Sequence, residues 1–187
     1  AQSLEERGLA DKTLVVLTAD HGETLGDNNS PFYGHGTSLN QELIHIPFLY
    51  KNPQETQVFS TCNLQNTDTM PSLMHMMNWN VSLAASGSAA SGIAMQDGCR
   101  DYSFSMLYDV SGRLSYLSVF DGHSRLTRLC QNGSEQAYDL SSSFSNTNMV
   151  SADSLSNVEE LRQVMDQYMV QVTATDGSTC MLEHEED

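Results

Sequence analysis

The sequence predicts an α/β protein, with part of a parallel or mixed sheet and its helices followed by a small antiparallel sheet with one packing helix. Three observations carry that reading. Near the N-terminus the end of an amphipathic helix leads, after a short turn, into the continuous apolar run Thr13-Leu14-Val15-Val16-Leu17-Thr18-Ala19, which is half of a βαβ unit. Beyond residue 98 the hydrophobic period becomes two, in segments separated by glycine-containing turns. Close to the C-terminus apolar residues return to helical spacing. The division is expected between residues 1–97 and 98–187, the latter ending in a frayed acidic tail.

The elements follow in order. Residues 3–9 read as a helix end with Gly8 as its C-cap. Residues 13–19 show no alternation, as expected of a central parallel strand covered on both faces. Residues 20–36, rich in Gly, Asn and Asp, form a long loop at the carboxyl end of that strand, where open α/β sheets place their chemistry. Residues 44–50 are a second strand, with Pro47 setting it near an edge or bulge, and residues 58–62 a third. A helix is expected over 68–79, with Thr67 or Asp68 as N-cap and Pro71 in the first turn. Its Met70, Leu73, Met74 and Met77 fall at helical spacing and read as core packing. Residues 82–98 are Ala/Ser/Gly-rich and mark a flexible loop or subdomain boundary. Strands follow at 102–110, 114–120, 125–130 and 136–140. The turns Ser111-Gly112-Arg113 and Asp121-Gly122-His123-Ser124 separate the first three of these. A helix at 158–172 presents Val158, Leu161, Val164, Met165 and Tyr168 on one face, capped by Ser156 or Asn157.

Composition narrows the function classes. The 187 residues suffice for one domain, or one domain with an appendage, and 39% are apolar, so a core can form. Lys and Arg total 8 against 24 Asp and Glu, a formal charge of −16. That balance argues against a nucleic-acid partner and against adsorption to anionic lipid. No apolar run approaches the roughly 20 residues of a membrane helix, and the first residues read as a helix already under way, as though the chain starts mid-domain. The four cysteines form no C-x-x-C pair; two disulfides and buried free thiols both remain open.

Chemistry concentrates after the first strand. Asp20 and His21 are adjacent at its tip, and Gly22 is expected to let the backbone turn sharply, so that both side chains converge on one ion. A carboxylate beside an imidazole suits zinc or manganese better than calcium, which prefers oxygen shells. His35, between Gly34 and Gly36, can loop back as a further ligand or as a donor to a substrate anion. Glu23 is expected either to orient His21 or to be a solvated carboxylate. His45 and His75 read as structural, and His123 and His184 as a turn and a tail residue.

The string Leu14-Val15-Val16-Leu17-Thr18-Ala19-Asp20-His21-Gly22-Glu23-Thr24-Leu25-Gly26 resembles the second metal-binding motif of the sulfatase family, in the alkaline-phosphatase-like superfamily. Gly34-His35-Gly36 and Glu42-Leu43-Ile44-His45-Ile46-Pro47-Phe48-Leu49 continue the resemblance in order. So do Asn66-Thr67-Asp68-Thr69-Met70-Pro71-Ser72-Leu73 and, in the C-terminal subdomain, Tyr138-Asp139-Leu140. The resemblance implies the C-terminal part of an alkaline-phosphatase-like fold and displacement at a sulfate or phosphate ester assisted by a divalent metal (zinc, manganese or calcium). It makes Asp20 and His21 metal ligands and His35 a catalytic residue that contacts the ester oxygens, protonates the leaving group or serves a second metal.

The departures are informative too. The family's Cys/Ser-x-Pro-x-Arg nucleophile motif is absent from the sequence, as are the upstream acidic ligands. The expectation is therefore a fragment of a longer sulfuric ester hydrolase, inactive alone and partnered by its missing N-terminal half, acting on a small-molecule or glycan ester in the periplasm or outside the cell. Because many sulfatases carry Lys at the position of His35, a second reading is a membrane-anchored phosphoethanolamine or phosphoglycerol transferase whose helices precede this chain. A third is a non-catalytic domain that kept the fold.

Overall fold

The structure is a computed structural model that describes residues 2–26, 33–53, 63–79, 99–142 and 148–180. Helix α1 (Gln2–Glu6) stops through Gly8, whose φ of +64° is the left-handed conformation expected of a C-cap glycine. A 3-10 turn (Ala10–Lys12) leads into β1 (Val15–Thr18). The segment after β1 contains a short antiparallel ribbon of β2 (Thr24–Leu25) and β3 (Tyr33–Gly34), with Thr24 opposite Gly34. Then come the helical turn α2 (Gln41–Ile44) and β4 (Phe48–Lys51).

Two expectations for this half are corrected. Strand β1 pairs antiparallel with β4, Leu17 opposite Leu49, and both leucines are about as exposed as covered, at 60% and 59%. An unbroken apolar run states that both faces need cover, but not which segment supplies it or in which direction its neighbour runs. Nor does a strand begin at Ile44. The N–H groups of Leu43 and Ile44 donate to the Asn40 carbonyl and that of His45 to Gln41, closing a helical turn, and the strand begins only after Pro47. The expected strand at 58–62 and loop at 82–98 lie outside the described residues.

Helix α3 (Thr69–Met76) follows a 3-10 turn at Asn66–Asp68. Asp68 stands at its N-cap position, but its side chain makes no capping hydrogen bond to the helix. Its carboxylate accepts the backbone N–H of Gln65 and a two-pronged pair from Arg100, at 2.7 and 2.6 Å, with Asp68 only 1% exposed. The methionine stripe is only partly core: Met76 is buried, while Met70 and Met77 reach solvent.

The second half follows its hydrophobic pattern closely. Strands β5 (Ser103–Tyr108), β6 (Leu114–Phe120), β7 (Ser124–Leu129), β8 (Glu135–Asp139) and β9 (Met149–Val150) form one antiparallel sheet in sequential order. Strand β9, two residues long, is too short for alternation to reveal. Helix α4 (Val158–Asp176) covers one face. Leu117, Val119, Leu126 and Ala137 meet Leu161, Met165 and Tyr168 there, and Phe104 stacks on Tyr168 at 3.8 Å.

Side chains alternate across β7, so its two arginines point opposite ways. Arg128 turns toward α4, where it pairs with Glu135 at 2.9 Å and Asp166 at 2.6 Å. Arg125 turns to the other face. Cys130 is joined to Cys180 across 50 residues, tying the end of β7 to the segment after α4. No cysteine among the described residues is free.

Candidate metal centre

The candidate residues gather where β1 ends. The backbone N–H of His21 donates to Asp20 Oδ1 at 3.0 Å, which aims the other oxygen, Oδ2, toward His21 Nε2, 3.7 Å away. That hydrogen bond is the largest of the causes that hold the Asp20 carboxyl below the usual carboxylate range, so the group carries its charge. On the far side of the His21 ring, Nδ1–H donates to the Gly22 carbonyl at 2.8 Å. A carbonyl can only accept, so in the neutral ring Nδ1 bears the proton and the Nε2 lone pair is open to a ligand.

The ribbon of β2 and β3 brings His35 back. Its Nδ1–H donates to Glu23 Oε2 at 3.0 Å, and its ring lies 4.3 Å from the ring of His21, tilted by 41°. The Nε2 of His35 is thus presented in the same manner as that of His21. Glu23, for which orienting His21 and standing as a solvated carboxylate were both open, pairs with His35. Donor atoms of His21, Glu23 and His35 lie within 4.8 Å of one another. Asp20 stands outside that trio and shares its close approach with His21 alone.

The donor set fits a divalent cation. Ligand atoms each about 2.0–2.2 Å from zinc stand at most ~4.2 Å apart, so a 3.7 Å separation lies within the bite of one ion. The side chains of Asp20, His21, Glu23 and His35 are 88%, 44%, 44% and 56% exposed, which leaves the cluster open to a ligand.

The turn is held by residues the sequence did not mark. Asn66, opening the turn before α3, donates its amide to the Asp20 carbonyl at 2.8 Å. The N–H of Gly22 donates to the Leu43 carbonyl of α2 at 2.8 Å. Gly22 has no positive φ; a Cβ there would lie 1.9 Å from the Glu42 carbonyl oxygen. The glycine thus serves close backbone approach, not the sharp turn expected of it. At Gly34 and Gly36 the reverse holds, for their φ values are +117° and +83° and neither is crowded.

Comparison with known proteins bears on this arrangement. The sulfatase family model matches residues 1–79. The fold of BT4656, solved in complex with its substrate D-glucosamine-2-N,6-O-disulfate, superposes on 94% of this chain with a TM-score of 0.70 and 17% identity. The chain thus resembles the sulfatase family over its first 79 residues and shares the fold of this structure. Its fold is also that of a phosphonate monoester hydrolase from Silicibacter pomeroyi, with 20% identity, 98% of this chain covered and a TM-score of 0.64. A low-salt glycan biosynthesis sulfotransferase, Agl7, of Haloferax volcanii is 43% identical over 49 residues, 25% of this chain and 12% of that protein. The chain spans 37% of the length of the first of these structures and 38% of the second.

Proposed function

We propose that this chain supplies the metal-binding turn of a sulfatase-type hydrolase that cleaves sulfate esters. The observation that carries the reading is the approach of Asp20 Oδ2 to His21 Nε2, with the proton of His21 drawn to its other nitrogen. Asp20 and His21 would hold a divalent cation, zinc or manganese before calcium. The cation they hold would supply stabilisation of charge on the transferred sulfuryl group and a lowered pKa for the attacking group. His35, held by Glu23 with its ring 4.3 Å from that of His21, would contact ester oxygens or give a proton to the leaving oxygen.

The nucleophile and the remaining acidic ligands are assigned to a segment preceding this chain, which in this reading is the C-terminal part of a longer enzyme. Residues 1–97 belong to its catalytic core and 98–187 to its antiparallel subdomain. The apolar face of the β1–β4 ribbon, with Val15, Leu17 and Leu49 exposed, is where the rest of that core would pack. The Cys130–Cys180 disulfide favours a periplasmic or extracellular setting. Among the described residues no helix is long and apolar enough to cross a membrane.

The test is metal analysis and sulfate-ester turnover of the intact enzyme with Asp20→Ala and His21→Ala. Each variant is expected to lose bound metal and at least a hundredfold in kcat/KM. Unchanged metal content and turnover in both would remove the assignment. A second reading, transfer of the sulfuryl group to a sugar hydroxyl instead of water, is favoured by the likeness to the Haloferax sulfotransferase. Product analysis with and without a glycan acceptor separates the two.

A further inference from the structure

We propose that Arg125, on the antiparallel sheet, is a positioning residue for the metal-binding turn, acting through Gln41 and helix α2. The inference rests on the reading of Asp20 and His21 as cation ligands.

Arg125 is 1% exposed, and its guanidinium lies 4.0 Å above the ring of Tyr138, its neighbour on β8. Its Nη1 donates to Gln41 Oε1 at 2.6 Å. A buried arginine is a poor way to gain stability, because desolvating the cation offsets much of what its contacts return. An apolar residue would pack this sheet face more simply. The guanidinium does offer a rigid fork that can hold a neighbouring segment in one orientation.

That segment is α2, four residues long and too short to hold its own shape. Its position must come from what grips it. Arg125 grips the side chain of Gln41 at its start. At its other end the Leu43 carbonyl accepts the Gly22 N–H, and the Glu42 carbonyl oxygen occupies the place of a Gly22 side chain. Gly22 in turn accepts the Nδ1–H of His21. Three hydrogen bonds, Arg125 to Gln41, Gly22 to Leu43 and His21 to Gly22, thus connect the sheet to a metal ligand. If α2 shifts, the acceptor that orients His21 shifts with it.

The test is titration of the intact protein with Mn2+, followed by electron paramagnetic resonance of the free ion, at a temperature where every variant is folded. A variant carrying both Asp20→Ala and His21→Ala reports the background. Gln41→Leu and Arg125→Met are each expected to weaken Mn2+ binding about tenfold, within the range found for groups that orient a metal ligand. Gln41→Glu keeps the acceptor and is expected to stay within about twofold of the parent, a rescue that a general packing role would not produce. Combining Gln41→Leu with Arg125→Met is expected to cost no more than either alone, since both act along one path. Parent affinity in folded Gln41→Leu overturns the proposal while leaving the metal site standing, and should Arg125→Met fail to fold, the two Gln41 variants decide. If the parent protein binds Mn2+ no better than the Asp20/His21 variant, the site reading itself fails, and this inference with it.

Discussion

At Gly22 an added methyl group would meet the Glu42 carbonyl oxygen at 1.9 Å, and the obstacle is backbone that cannot swing aside. Gly22→Ala is therefore expected to destabilise the protein by about 3 kcal/mol, the upper range for forced overpacking, and to weaken metal binding as the turn separates from α2. Urea unfolding and Mn2+ titration check the two effects; a loss below about 0.5 kcal/mol would mean that the close approach is not maintained in solution. Asp20, His21 and His35 were singled out as candidates because the residue types needed for cation chemistry stand at a strand end and between glycines. Glu23 was legible as a carboxylate but not as the partner of His35. That pairing spans 12 residues and depends on the β2–β3 register, Thr24 opposite Gly34, which two-residue strands do not announce.

Among the elements, the antiparallel sheet and α4 were the most readable, since a period of two and a helical stripe each state which face is buried. Their contact carries a titration that can be followed. Tyr102, beside β5, donates its hydroxyl to Glu160 in the first turn of α4, and this bond pushes its pKa up to about 12. The folded value lies above the ordinary one of about 10, so the stability it contributes is complete below pH ~10 and is lost as pH rises toward 12. Tyr102→Phe is expected to remove a late step from the tyrosinate absorbance titration and to flatten the loss of stability across that window. A titration curve unchanged by the substitution would refute the pairing. Strand β1 was less readable, because its four residues announce burial without naming a partner.

For the molecule as a whole, the Cys130–Cys180 bridge closes a 50-residue loop containing β8, β9 and α4. Constraining a loop of this size in the unfolded chain contributes about 2–4 kcal/mol. Reduction of the intact protein is expected to lower Tm by several degrees, as read by calorimetry with and without reductant. An unchanged Tm after verified reduction would show that the unfolded chain is not constrained by this link. The formal charge of −16 did not reveal that the basic residues divide their work. Arg100 clamps Asp68, Arg128 joins sheet to helix, and Arg125 reaches α2.

The sequence by itself determined the four longer strands and the final helix of the second half, the glycine cap of α1 and the placing of Asp20, His21 and His35 in one segment. All of these are written in periodicity and local residue chemistry. Only the tertiary structure decided that β1 runs antiparallel to β4, that Asn66 holds the Asp20 carbonyl and that Arg125 meets Gln41. The last two contacts join residues 46 and 84 positions apart. No local pattern encodes such pairs, because they exist only once the chain has closed the intervening loops and both partners are excluded from water.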